Sequence, residues 1–274
     1  MSAHQLQYCS APFDAIAERY DDTFTISKIG QAQRASVWKE LEKTFHPGDH
    51  VLELGCGTGV DASFLAQRGV TVFACDASPQ MIAVAQRRTQ ELTDASRAAV
   101  RLHLLRADEI VSLKEQGPFD GAFSNFGALN CVAELRPLAI DLATLLRPGA
   151  SAMLCLMGSC CAWEIAWYLG QGKPRKAFRR LRCAGVTARL ADQATVHVQY
   201  PAVRSVARTF LPDFRLKSVK GIGVSVPPSY VEPWVARFPR WFDLCRQADS
   251  VLGRCPGIRA LADHVLLTFQ REEV

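Results

Sequence analysis

Residues 51–78 read VLELGCGTGVDASFLAQRGVTVFACDAS. An apolar run meets three glycines at alternate positions, Gly55, Gly57 and Gly59, and a helical pattern follows at once. Glycine has no Cβ, so such a turn can reverse sharply and approach a ligand closely. Asp76 closes the next apolar run, 21 residues beyond Gly55. There a carboxylate can accept hydrogen bonds from both hydroxyls of a ribose. Strand, glycine turn, helix and acid-ended strand together form a nucleotide-binding pattern.

Two details decide which nucleotide. The dinucleotide fingerprint GxGxxG, begun at Gly55, needs glycine at position 60, and Val60 stands there. Glu53, at the mouth of the turn, would repel a pyrophosphate and suits a ligand carrying positive charge. S-adenosylmethionine meets both conditions, with an adenosine, a sulfonium, an ammonium and no phosphate.

Outward from this stretch, strands and helices alternate. Strands are expected at 50–54, 70–75, 101–105, 119–124 and 151–157. Helices are expected at 59–67, 79–91, near 110 and at 132–146. Alternation with short connections predicts a parallel sheet covered on both faces. After Met157 the rhythm breaks: 159–201 reads as an inserted lid region, helical through about 182 and ending in the strand-like TVHVQY. Helix 202–210 and strand 214–220 resume the pattern, and 222–262, rich in proline and aromatics, reads as irregular. HVLLTFQ, 264–270, reads as a last strand able to pair antiparallel. The expected fold is α/β, a doubly wound, seven-stranded, mostly parallel Rossmann-like sheet with an antiparallel last strand and a helical or irregular lid. Its units are an N-terminal helical cap (1–49), a cofactor-binding core (50–158), the lid (159–201) and a sheet-completing segment (202–274) that carries the second insertion.

The sequence resembles the class I S-adenosylmethionine-dependent methyltransferases of small molecules. VLELGCGTG resembles their first motif, LLRADEI their adenine-side segment, GPFDGAFSNFGALN their fourth strand and LLRPGA the turn into their fifth. FDAIAERYDD resembles the cap of small-molecule members, including those of quinone biosynthesis. The resemblance covers residues 50–157 well and the rest loosely. It implies S-adenosylmethionine as cofactor and S-adenosylhomocysteine as product. The implied cofactor contacts are Tyr20, Glu53, Gly55, Gly57, Gly59, Asp76, Ala77, Met81, Ala107, Asp108 and Asn125.

Methyl transfer from a sulfonium needs alignment and exclusion of water, and a base only where the acceptor holds its proton. Candidate bases are His197, His264 and Glu164. Phe126, Trp163, Trp167, Tyr200 and Tyr230 are the candidate substrate contacts, lining an apolar pocket or forming the lid's own core. The acceptor is expected to be small and apolar or amphipathic, methylated on oxygen, carbon or nitrogen. No metal is implied.

Ten cysteines lie scattered without a CxxC pair, several in apolar runs, which argues for a reducing cytoplasm and against a disulfide framework or zinc site. The N-terminus lacks a signal-peptide pattern. Residues 149–172 hold a single charge, Glu164, but Gly158 and Ser159 break the run, so no transmembrane segment is expected. Residues 1–150 carry 14 Lys/Arg against 18 Asp/Glu, and residues 151–274 carry 18 against 9. The basic run GKPRKAFRRLRC could hold an anionic substrate group, meet an acidic membrane surface or simply be solvated. Nucleic-acid methylation is the alternative the basic half supports. Against it stand SNFG where amino-methylating DNA enzymes have a proline pair, and a pI near 8.7. A non-catalytic cofactor-binding scaffold is the third reading. The oligomeric state is not legible.

Overall fold

The computed structural model describes residues 11–182, 184–191 and 194–273. A 3-10 turn, Pro12–Ile16, leads into α1 (Ala17–Tyr20), a π-helical turn and the long helix α2 (Lys28–Thr44). Ser27 caps α2, its hydroxyl accepting from the Gly30 N–H at 2.9 Å. The core then runs β1 (His50–Leu54), α3 (Val60–Ala66), β2 (Thr71–Asp76), α4 (Pro79–Gln90), α5 (Asp94–Ala98) and β3 (Val100–Leu104). After a 3-10 segment, Ile110–Gln116, come β4 (Phe119–Ser124), α6 (Leu135–Leu145) and β5 (Leu146–Met157). The LRPGA segment, expected as a turn, lies inside β5, where its pairing with β4 shifts register between Phe119 and Gly121.

The inserted region is not one helix to residue 182. It breaks into α7 (Ala162–Gly170), α8 (Pro174–Ala177) and a 3-10 turn, Arg179–Leu181, because Gly172 takes a left-handed backbone (φ 67°) just before Pro174. The strand-like TVHVQY forms β7 (Thr195–Val198), paired antiparallel with β6 (Val186–Arg189) in a separate hairpin. Next come α9 (Val203–Phe210) and β8 (Phe214–Ile222). The stretch 222–262, expected as irregular, is largely helical: a 3-10 turn, Ser229–Val231, then α10 (Glu232–Arg237) and α11 (Pro239–Leu252). Its prolines misled because they sit in the first turn of each helix, where a missing N–H costs nothing. β9 (His264–Arg271) ends the described chain.

The main sheet has the order β3-β2-β1-β4-β5-β9-β8, seven strands in all. The first five are mutually parallel, and β9 runs antiparallel to both β5 and β8. One face packs Leu52, Phe73, Phe119 and Phe269 with Leu138 and Leu142 of α6 and Phe210 of α9. The other packs Val51, Val72, Phe123 and Leu266 with Val37 and Leu41 of α2 and Leu65 of α3. Strand order reverses between β1 and β4, and the crevice beyond their carboxyl ends is where such sheets bind ligands. Among the described residues no helix is long and apolar enough to cross a membrane.

Candidate functional site

The glycine turn sits in that crevice, with Gly55, Gly57 and Gly59 at φ 69°, 53° and 74°. A Cβ on Gly55 would meet the Ala128 Cβ at 2.3 Å, and one on Gly59 the Ala85 Cβ at 2.9 Å. Beside Gly57 a Cβ would meet nothing within 4 Å, so this is the side open to a ligand. Asp76 fixes the turn: one carboxylate oxygen accepts from the Gly57 N–H at 2.8 Å, the other from the Ser78 N–H at 2.9 Å. Burial pushes the Asp76 carboxyl above its ordinary value, and these N–H groups pull against it.

The N-terminal cap is fastened to this turn. Asp14 accepts from the Ser78 hydroxyl and the Gln80 N–H, and Asp21 accepts from the Thr58 hydroxyl at 2.8 Å and from the Arg88 guanidinium. Glu18 pairs with Arg87. The Tyr20 phenol is brought to the same place: burial pushes it up, Arg34 opposes, and Asp61, Asp21 and Asp76 add to the rise.

The structure also assembles a centre that the sequence reading missed. Asp61, in the first turn of α3, is buried and accepts from Arg34 of α2 and from the Trp38 indole, each at 2.6 Å. Its other oxygen accepts from the Asn125 amide at 2.9 Å. Phe126 follows with φ 50°, the one non-glycine in the left-handed region among the described residues, a position that marks functional strain. The Arg34 guanidinium lies 4.8 Å from the Phe126 ring centre, Phe24 packs edge-on at 5.0 Å and His264 at 5.6 Å. The available signal was an acid at a helix position that the apolar pattern buries.

Around this centre Glu53 Oε2, Ser124 Oγ, Asn125 Oδ1 and Arg34 Nε are buried without a hydrogen-bond partner. Buried polar atoms are normally paired, so the set is shaped for a polar ligand. Burial, reinforced by Asp61, pushes the Glu53 carboxyl well above its usual range against the pull of Arg34. A cation placed there would restore its charge. These residues fit S-adenosylmethionine: Asp76 at the ribose, Gly57 open beside it, and Glu53 and Asn125 offering acceptors to an ammonium. Met81 is buried at the start of α4, its N–H held by Ser78, and Ala77 is exposed beside Asp76. On the adenine side Ala107 is half-buried, while the Asp108 carboxylate is turned outward onto Arg106 at 2.9 Å.

On the far side of Phe126 the candidate bases separate. His264 begins β9, is buried and keeps Nδ1 3.4 Å from Asp263 Oδ2. Asp263 also accepts from Arg180 at 2.7 Å and from the Gln33 amide at 3.3 Å. Burial pushes the Asp263 carboxyl up, but His264 and Arg180 outweigh it and hold it well below the usual carboxylate range. Glu164 is not free to act as a base, because Arg179 and Arg180 bind both its oxygens at 2.6–3.0 Å. His197 is exposed on the separate β6–β7 hairpin. The basic run is thus partly consumed: Arg180 is buried between Glu164 and Asp263, over the Tyr200 ring at 5.4 Å.

The aromatics of the two insertions meet one another. Trp163 packs edge-on to Trp241 at 6.0 Å, and Trp167 lies 5.7 Å from Tyr230 and 6.4 Å from Trp234. Trp167, Tyr230 and Trp241 close over a small cluster of Ile29, Val226, Val231, Val235 and Phe242. The Tyr230 hydroxyl is buried and unpartnered. A groove of about 1100 Å³ between α2 and α11 is lined by Lys39, Glu40, Arg246 and Arg254 and by none of the expected cofactor or substrate contacts. Among the described residues no cluster of side chains could hold a metal ion.

Residues 51–149 match the family model described as a methyltransferase domain. A demethylmenaquinone methyltransferase of Beutenbergia cavernae is 32% identical over 140 residues, covering 50% of this chain and 52% of the relative. The chain thus spans about half the length of the curated relatives it matches. Two solved structures share the fold. The CcbJ methyltransferase of Streptomyces caelestis has a TM-score of 0.62 at 15% identity over 96% of this chain and 99% of that one. The 1,6-didemethyltoxoflavin-N1-methyltransferase of Burkholderia thailandensis, solved with 1,6-didemethyltoxoflavin and S-adenosylhomocysteine bound, has a TM-score of 0.55 at 16% identity over 95% and 86%. Motif, sheet order and family match agree: residues 51–149 form a methyltransferase domain, on a fold shared with S-adenosylmethionine-dependent methyltransferases.

Proposed function

We propose that the protein transfers a methyl group from S-adenosylmethionine to a small, largely apolar or amphipathic acceptor held between the N-terminal cap, the end of β4 and the lid. The observation that carries this reading is the set of buried, unpartnered acceptors beyond β1 and β4, Glu53 Oε2, Ser124 Oγ and Asn125 Oδ1, beside the open flank of Gly57. When bound, the cofactor supplies a methyl group already activated on a sulfonium.

The chain's residues have to bind, orient and dry the site. Asp76 holds the ribose side, and Glu53 and Asn125 take the ammonium end. Phe24, Phe126 and Tyr20 exclude water, which strengthens every charge interaction inside. If the acceptor is a hydroxyl, His264 Nε2 takes the proton, with Asp263, whose Oδ2 lies 3.4 Å from Nδ1, orienting the ring. The aromatic lid and the curated relatives' substrate support a ring acceptor like demethylmenaquinone. A reducing compartment, the cytoplasm, belongs to the same proposal. The eight described cysteines are free, and burial pushes the thiols of Cys75, Cys155 and Cys161 up to about 12, keeping them inert.

Calorimetric titration with S-adenosylhomocysteine tests the cofactor. Asp76→Ala removes two charge-assisted hydrogen bonds and should weaken binding by about 100-fold. An unchanged affinity, or no binding by the unaltered protein, would overturn the assignment. His264→Ala should leave that affinity intact. With a hydroxyl acceptor it should lower kcat by about 100-fold or more.

A further inference from the structure

We infer that the outer face of the lid, built from α7, α8 and α10, docks on an anionic lipid surface. A continuous chain of contacts defines this face. Arg237 lies 5.6 Å from the Phe238 ring, Phe238 6.2 Å from Trp234, and Trp234 6.4 Å from Trp167. Trp167 continues to Tyr230 at 5.7 Å and Tyr230 to Tyr168 at 5.8 Å. Lys176 and Arg179 then each lie 5.8 Å from the Tyr168 ring. Cations thus stand at both ends of an aromatic row. Trp234 is 56% exposed and Phe238 45%. Leu169, Phe178 and Leu181 add exposed apolar tips on the same inserted segment.

The free charge on this face is positive, since Glu232 of α10 accepts from the Lys28 and Ile29 N–H groups. Lys173, Arg175 and Lys176 are exposed and form no ion pair among the described residues, and Arg237 and Arg240 stand exposed beside α10. Between Glu164 and Asp192 the sequence holds no acid, and Glu164 itself is buried under Arg179 and Arg180. Exposed aromatic and aliphatic tips interleaved with unpaired cations match the boundary layer of a membrane, apolar below and anionic above.

Two other occupants fit less well. A second copy of this chain meeting the same face about a two-fold axis would bring these cations together with no carboxylate between them. A single-stranded nucleic acid needs free ring faces for stacking, whereas the row's rings are set against each other, and leucines offer bases nothing. The surface does not depend on the methyl-transfer reading.

The test is flotation of the purified protein with vesicles of phosphatidylcholine alone and of phosphatidylcholine mixed with phosphatidylglycerol. The protein should float with the mixed vesicles only, and added salt should release it. The variant K173Q/R175Q/K176Q should lose binding by on the order of 100-fold, roughly fivefold per cation. Trp234→Ala with Phe238→Ala should also weaken binding. S-adenosylhomocysteine affinity should be unchanged in both, which reports that each variant is folded. Failure to float with mixed vesicles, or wild-type flotation by either variant, would overturn the docking. So would a change of oligomeric mass in these variants without lipid, or RNA displacing the vesicles through the same residues. Flotation without any S-adenosylhomocysteine binding would instead support the docking and sink the function proposed above.

Discussion

On the cofactor side of the crevice the contacts are polar, short and buried; among the aromatics of the two insertions they are ring against ring. Asp61 alone gathers a guanidinium, an indole and an amide within 2.6–2.9 Å. Trp167 gathers Tyr230 and Trp234 at 5.7–6.4 Å between ring centres. A buried hydrogen-bond network has one geometry that satisfies it, and removing one member leaves the others unpaired. Apolar ring contacts are non-directional and forgive exchange of similar volumes. The first side can therefore specify a ligand atom by atom, and the second can only shape a space.

Three substitutions sharpen or break that contrast. The largest effect should come from Asp61→Ala, which strands the Arg34 guanidinium in the interior. It should cost about 4 kcal/mol in urea unfolding, and a loss below about 1 kcal/mol would mean that water, not protein, solvates Arg34. Next, Trp167→Ala should cost about 2–3 kcal/mol because the ring is only half-buried. Trp167→Phe should cost less than about 1.5 kcal/mol. Equal penalties for the two would show that the lid is as exacting as the cofactor side.

The smallest effect is a slope. Glu53 is held protonated above the usual carboxylate range in the free protein, and a bound ammonium favours its charged form. Binding therefore releases a proton. Affinity for S-adenosylhomocysteine should tighten as pH rises from the ordinary carboxylate value towards the raised one, by up to about tenfold per pH unit. Calorimetry of Glu53→Gln should show that slope abolished. A slope that survives the substitution would place the titrating group elsewhere.

What the sequence carried follows the same division. Strands, the glycine turn and Asp76 were legible because their signals are local: apolar runs, a residue without a Cβ, an acid at a strand end. Arg34 and Asp61 were not, since they lie 27 residues apart on different helices and no period links a buried charge to its partner. Glu164 looked like a candidate base for the converse reason, as its guanidinium partners, 15 and 16 residues on, read as part of a solvated run. The prolines at 233 and 239 make 222–262 read as irregular, because proline begins helices as readily as it ends them. The strained φ of Phe126 has no sequence signature, since the residue that usually takes it is glycine.

The fastening of the cap sets a timescale. Glu18 and Arg87 are more than half exposed, and Asp21 and Arg88 about a quarter. Ion pairs so placed are each worth less than about 1 kcal/mol and are screened by salt. A cap held partly by such pairs should loosen as salt rises, while Asp14 on Ser78 and Gln80 keeps it on the glycine turn, so release of a ligand from behind it should quicken with ionic strength.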